Sequence, residues 1–399
     1  MEKSLYILYN NLYKIKIHHM HSILKQQKSI KGYVFPFEGE KHWASVVLVP
    51  YRKDTWREDA LPAIEEYLSV VKAIARFERV IVVIDPSIDY KIVRRFEMEN
   101  THILRLKYDD SWARDTLPIF LKNDEEKRLV GVDFGFNSWG GDFDGLYTPY
   151  DDDNNLGKYF LLETMIHRYP VKDFILEGGS VHTDGEGTLL TTEECLLSQG
   201  RNPSLSKEQI EEKLKETLNV EKVLFLPYGI YEDETDGHVD NMCCFLKPGV
   251  VLLAWTDDQD DPQYERCVKD YEYLSSVLDS KGRKLEIIKM PVPKTMYMTK
   301  EEANELTLSE SAIKRMEGRR LAGSYVNFYM GEKFILLPQF NCEEDKKAIE
   351  ILKDFYHDEK EIIPIYSKEI LLGGGNIHCI TKQIPFMEHY PIRPEDEDL

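Results

Sequence analysis

One local order of strand, turn, strand, helix and strand recurs along this chain, in four copies and the opening of a fifth. The first clear copy opens at Asp115, with strands over 116–121 and 128–136 around Lys122-Asn123-Asp124-Glu125, a helix near 156–167 and a strand near 174–176. The second opens at Glu177, turns at Thr183-Asp184-Gly185-Glu186-Gly187, and continues through a helix over 207–218 and a strand over 222–226. The third opens at His238, turns at Lys247-Pro248-Gly249, and ends with a helix over 263–278 and a strand over 285–290. The fourth opens near Ser324-Tyr325-Val326-Asn327, turns at Met330-Gly331-Glu332-Lys333, and ends with a helix near 343–355 and a strand over 362–366. The fifth begins at Cys379 and has no room to finish; a strand over 42–49, a helix over 60–77 and a strand over 80–84 can complete it. Alternation and turn chemistry support the hairpins, and apolar spacing of three and four supports the helices. The spacing is roughly sixty residues, with one longer copy. Five copies closed in this way form a ring without free edges, with the openers at one central mouth. An ordinary α+β domain with several hairpins fits the periodicity equally well.

With 399 residues, 42% of them hydrophobic, the chain can bury a large core. Its net charge of −20 makes nucleic acid and anionic membranes poor partners and favours a small cation. No apolar run reaches a membrane span, and the start of the chain lacks the apolar stretch of a secretory signal. Residues 1–32 read as a basic extension, 33–390 as one domain and 391–399 as an acidic tail. The cluster His18-His19-Met20-His21 offers metal ligands but reads as a frayed terminus. None of the six cysteines has zinc-like spacing, which suits a reducing cytoplasm with most thiols in the core. Cys243 and Cys244, in the apolar run 242–246, read as core. A homodimer is compatible with the chain, which carries no signal for its own oligomeric state.

Cys379 follows Gly373-Gly374-Gly375-Asn376-Ile377-His378. Gly374 and Gly375 let the backbone approach a ligand closely, and a thiol there reads as a nucleophile. His378 is a poor partner for it, because neighbours on a strand point to opposite faces. His238 is better: on a strand, Asp236, His238 and Asp240 share one face, and the carboxylates hold the imidazole cationic. The same Asp-x-His-x-Asp spacing also suits a divalent metal. Trp112 and Asp115 can cover and grip a flat cation; the alternative is an Arg114–Asp115 surface pair with Trp112 in the core. Glu177 is either a buried carboxylate that orients His238 or a solvated turn residue. The acidic runs 151–153 and 257–261 read as solvated loops.

The segments DDSWARDTLPIF, DFGFNSWGG, ILEGGSVHTDGEGTLLTTEECLLSQGRNP, ETDGHVD, YVNF and GGGNIHCIT, in this order from about 35 to 385, resemble the agmatine deiminases and related bacterial peptidylarginine deiminases of the guanidino-group-modifying superfamily. The resemblance implies an α/β fold, a five-bladed α/β propeller (pentein) of ββαβ units with pseudo-fivefold symmetry. It implies Cys379 as nucleophile, His238 as general acid/base, Asp115 and Asp240 as the guanidinium grip, Glu177 beside the histidine, Trp112 and the Gly374-Gly375 backbone lining the pocket, and no cofactor or metal. The implied reaction converts agmatine to N-carbamoylputrescine and ammonia through a thiouronium on Cys379.

Three departures concern the far end of the substrate pocket. Thr116-Leu117-Pro118 stands for Thr-Gly-Pro, Lys382-Gln383 for Gln-Gln, and the tryptophan-rich N-terminal motif is reduced to 35–42 with Val49-Pro50. Free arginine and peptidyl-arginine share the guanidinium and stay open as substrates. Amidino transfer and metal-dependent ureohydrolysis through Asp236, His238 and Asp240 are the readings from other classes. The acidic cluster near Asp151 is the candidate for a distal amine.

Overall fold

A computed structural model describes residues 26–388. The cluster at 18–21 and the tail at 391–399 lie outside the described residues. The described end of the basic extension packs onto the fold: Gln27 N donates to Arg168 O at 2.8 Å, and Ile30 is buried.

The strands form an α/β architecture in which one pairing pattern occurs five times. Ile119–Asn123 pairs antiparallel with Arg128–Gly135, which pairs parallel with His167–Ile175. His182–Thr183, Thr188–Thr192 and Lys222–Leu226 repeat the pattern. So do Cys243–Lys247, Val250–Trp255 and Glu286–Pro291, and Tyr329–Met330, Phe334–Gln339 and Glu361–Tyr366. In the fifth sheet the two ends of the fold meet. Thr381–Pro385 pairs antiparallel with His42–Leu48, which pairs parallel with Val80–Ile84, and Thr101–Arg105 adds a fourth strand. The two ends of the described fold therefore meet in one sheet, with strands near the start completing the copy that opens at Cys379. The edges do not vanish: among the described residues each sheet keeps its own two edge strands, and no closed sheet forms. Backbone ladder pairing stops at each sheet boundary, where side-chain packing and single side-chain hydrogen bonds, such as Phe245 N to His182 Nδ1 at 3.2 Å, take over.

Each parallel crossover carries a helix: Leu61–Ala75, Tyr90–Phe96, Asp151–Thr164, Lys207–Leu218, Gln263–Ser276 and Glu344–Tyr356. Lys207–Leu218 shows why. Ser206 and Gln209 form a capping box at its start, Ile210, Leu214 and Leu218 bury one face, and Asn219 ends it in the left-handed region at φ 53°. The helix expected near 156–167 instead spans Asp151–Thr164, because the acidic run 151–153 forms its first turn, where carboxylates favour the helix dipole. That run is not wholly a solvated loop: Asp153 is buried and accepts from the backbone N–H groups of Asp109 and Asp110. The long copy carries an insertion with the hairpin Met296–Tyr297 and Arg320–Leu321 and the capped helix Lys300–Asn304.

The core divides into clusters that each join neighbouring copies. Val130 and Leu189, in the first and second copies, belong to one cluster. Leu224, Phe245 and Ile335 run through the second, third and fourth. Leu336 and Val82 link the fourth and fifth, and Val46 and Phe160 link the fifth back to the first.

Candidate active site

The openers are tight turns that precede the strands. Ala113–Thr116 and Val239–Met242 are single helical turns, and Gly178–Ser180 is a 3-10 turn. Ala113–Thr116 packs on Gly178–Ser180 and on Thr381–Pro385, and Gly178–Ser180 packs in turn on Val239–Met242. This packing gathers Asp115, Glu177, His238, Asp240 and Cys379, all buried.

The extended reading of 236–240 is corrected. Asp236 and Gly237 take φ of 62° and 81°, which breaks any strand, and His238 caps the helical turn that carries Asp240. Asp236 turns away to Arg201 at 3.0 Å and Ser198 at 3.1 Å. Asp240 Oδ2 instead takes the His378 ring Nδ1 at 2.8 Å. The Asp-x-His-x-Asp set therefore does not converge on one point. Arg114 and Asp115 are likewise no surface pair: both are buried, and Arg114 binds Glu38 and Gln383 at 2.8 and 2.9 Å.

The centre of the site is marked by Gly179. A Cβ on that residue would lie 2.6 Å from His238 Nδ1 and 2.9 Å from both Asp115 Oδ1 and Asp240 Oδ2. Only a glycine lets these three groups face a common point. Asp115 is held by Gly179 N at 2.9 Å and by Trp139 Nε1 at 2.9 Å. Asp240 Oδ1 has no hydrogen-bond partner among the described residues. Cys379 Sγ lies 3.7 Å from Asp240 Oδ2, and Asn327 Nδ2 donates to it at 3.2 Å. Trp112 covers the thiol side: a Cβ on Gly375 would meet the Trp112 ring at 2.6 Å and Cys379 Sγ at 3.1 Å. Gly374 faces the Glu234–Arg315 pair instead. Asp151 is exposed at the start of its helix.

His238 sits between two carboxylates. Nδ1 is 3.9 Å from Asp115 Oδ2, and Nε2 is 3.8 Å from Glu177 Oε2. Burial pushes the imidazole toward its neutral form, but Asp115, Cys195 and Glu177 outweigh it and raise the pKa well above the ordinary value. Glu177 is fully buried; burial works against its charge, but Arg201, 2.7 Å away, keeps the carboxylate ionised. Burial, then the charges of Asp240 and Asp115, push the Cys379 thiol well above its usual range. Without a cation, the site holds a thiol and an imidazolium.

Several residues of the site carry no local sequence signal. Glu38 binds Arg114 at 2.8 Å and the His378 ring at 3.0 Å. His378, set aside as a neighbour of Cys379, thus bridges Glu38 and Asp240 from a turn, where strand alternation does not apply. Cys195 is buried as expected of a core thiol, yet its sulfur, a Glu177 oxygen and a His238 nitrogen all lie within 4.8 Å of one another. Asn327 could have been found, since it sits in the fourth opener as Asp115 sits in the first.

The Porphyromonas-type peptidyl-arginine deiminase family model matches residues 34–385. An agmatine deiminase of Pseudomonas aeruginosa is 47% identical over 355 residues, 89% of this chain and 96% of that protein. An agmatine deiminase of Pseudomonas fluorescens is 44% identical over 365 residues, 91% of this chain and 98% of that protein. A solved structure of the agmatine deiminase of Enterococcus faecalis superposes with a TM-score of 0.87 at 39% identity, covering 90% of this chain and 99% of that one. The chain belongs to the Porphyromonas-type peptidyl-arginine deiminase family.

Proposed function

We propose that this chain is an agmatine deiminase, hydrolysing the guanidinium of agmatine to N-carbamoylputrescine and ammonia. The observation that carries the reading is the convergence at Gly179 of His238, Asp115 and Asp240, with the Cys379 thiol beside Asp240. The similarity to agmatine deiminases over nine-tenths of the chain selects the substrate. Asp115 and Asp240 grip the guanidinium, Trp112 and the backbone at Gly375 wall the pocket, and Glu177 orients His238.

The charges order the steps. A guanidinium seated between Asp115 and Asp240 offsets the two charges that hold the Cys379 proton. The thiol then releases its proton to solvent and attacks the guanidinium carbon, and imidazolium His238 gives a proton to the departing ammonia. Neutral His238 next takes a proton from water, whose oxygen attacks the thiouronium carbon; the C–S bond breaks, the added hydroxyl's proton returns to the sulfur, and the ureido product leaves. The carboxylates fix the carbon in line with sulfur throughout.

The five sheets of one pattern and the core clusters that link each copy to the next, the fifth to the first, support a five-bladed α/β propeller with the openers at its mouth. On this reading 33–390 is one catalytic domain, with 1–32 and 391–399 flanking it. A reducing cytoplasm suits its six unpaired cysteines.

Mass spectrometry of the products from agmatine in excess EDTA tests the reading. N-Carbamoylputrescine with ammonia is expected, and Cys379→Ser abolishes both. Urea with putrescine, or full activity in Cys379→Ser, refutes it; turnover of arginine or an arginine peptide in place of agmatine refutes the substrate.

A further inference from the structure

The proposed chemistry uses one thiol and leaves a second beside the same histidine. We propose that Glu177, Cys195 and His238 form an inhibitory site for a thiophilic divalent cation of the zinc class. One ligand atom from each lies within 4.8 Å of the others, and all three residues are buried. His238 Nε2 and Glu177 Oε2 are 3.8 Å apart, and neither has a hydrogen-bond partner among the described residues. Tetrahedral zinc spaces nitrogen and oxygen ligands about 3.3 Å apart, within reach of small side-chain rotations.

The donor set fixes the ion class. Sulfur with nitrogen and one carboxylate oxygen suits zinc, whereas calcium and magnesium require oxygen cages. Three protein ligands leave a fourth position open, the pattern of an exchangeable ion. Arg201 lies 2.7 Å from Glu177 Oε1 and leaves Oε2 toward the imidazole. Its positive charge opposes the incoming ion, so the site is one of reversible inhibition. On binding, Cys195 releases its thiol proton and His238 gives up the proton on Nε2; no electron transfer occurs.

The consequence for turnover rests on the proposed deiminase reading. An ion on Nε2 leaves His238 a single proton, on Nδ1, whose loss would create an imidazolate, so the acid–base cycle stops. The seat at Gly179, on the Nδ1 side of the ring, stays open to the guanidinium. Zinc therefore lowers kcat and leaves KM unchanged, whereas an ion on Cys379 would compete with substrate.

The test uses cobalt(II) with the full chain, read by absorption, so that it does not depend on turnover. One equivalent is expected to give sulfur-to-cobalt charge transfer with tetrahedral ligand-field bands. The bands should vanish in Cys195→Ser, persist in Cys379→Ser and be displaced by zinc. Zinc inhibition of agmatine turnover should weaken in Cys195→Ser by about tenfold or more, the lower bound set by losses from even a supporting partner. Cys195→Ala repeats the test without a hydroxyl, and circular dichroism checks the fold of both variants. Bands that persist in both Cys195 variants and vanish in Cys379→Ser would place the ion on the nucleophile and overturn the proposal, as would the absence of bands in the unsubstituted protein.

Discussion

Gly179→Ala tests whether the seat between the carboxylates is where the substrate cation sits. The added methyl would stand 2.6 Å from His238 Nδ1 and 2.9 Å from Asp115 Oδ1 and Asp240 Oδ2, against 3.4 Å for an ordinary contact. The imidazole must retreat by about 0.8 Å and each carboxylate oxygen by about 0.5 Å, in side chains that are themselves packed. Gly179 takes no left-handed φ, so the backbone tolerates alanine and the strain is confined to the site. Overpacking of this size costs about 1–3 kcal/mol of stability, which a domain this large survives folded. The cost to catalysis is larger, because the methyl occupies the guanidinium's place and misplacements near 1 Å cost about 10²-fold. We expect kcat/KM for agmatine to fall by about 10²–10³ with a drop of a few degrees in thermal midpoint. Gly178→Ala is the contrast: its methyl would meet the Arg114 carbonyl at 2.2 Å, a backbone clash that disturbs the fold first. Ammonia release and thermal unfolding, measured on both variants, separate the two effects. If Gly179→Ala keeps activity within about threefold of the unsubstituted chain, the cation does not sit there.

Three further outcomes follow from the charges. The thiol of Cys379 is held up by burial and by Asp240 and Asp115, so kcat/KM should rise with pH toward and beyond the ordinary thiol range. A bound cation relieves that field, so the kcat limb should lie at lower pH; coincident limbs in stopped or continuous ammonia assays would contradict the substrate's part in ionising the thiol. Burial, then the neighbouring Arg114, push buried Lys382 down to about 7. Between about pH 7 and its unfolded value near 10.4 the unfolded chain binds the extra proton, so this group's contribution improves as pH rises and is worst below 7. Lys382→Gln should therefore raise the thermal midpoint more at pH 6 than at pH 10, and an equal shift at both would count against a charged, buried amine. Glu38→Gln removes a buried carboxylate from Arg114 and His378, and should cost about 3–5 kcal/mol in denaturant unfolding; a cost below about 1 kcal/mol would show that Arg114 finds other compensation.

What could be read along the chain was whatever the backbone decides locally. The turn at Lys247-Pro248-Gly249 returns Cys243–Lys247 onto Val250–Trp255, as its residues demand. The capping box at Ser206 starts a helix where the apolar spacing places one. The unfinished copy at Cys379 required strands from the other end, and His42–Leu48 supplies one. Errors arose where a local rule was applied to the wrong backbone. Strand alternation put Asp236 beside His238 and removed His378 from consideration, but Gly237 at φ 81° ends the strand argument for the first, and a turn ends it for the second.

The residues that escaped reading altogether share a different cause. Glu38 stands 76 positions from Arg114 and 340 from His378, and no spacing rule spans such gaps. Its value exists only after the fifth sheet has joined the two ends of the described fold, because that closure brings residues 38, 114 and 378 together. The same closure explains why a carboxylate can be buried there at all. Burial works against its charge, but Arg114 and the imidazoles of His378 and His182 more than compensate and hold it well below the usual carboxylate range. Through His378 it supports Asp240, which lies against Cys379. The group that attacks is legible from glycines and a thiol in one short run, while the charge that holds its neighbours in place is a property of the closed fold.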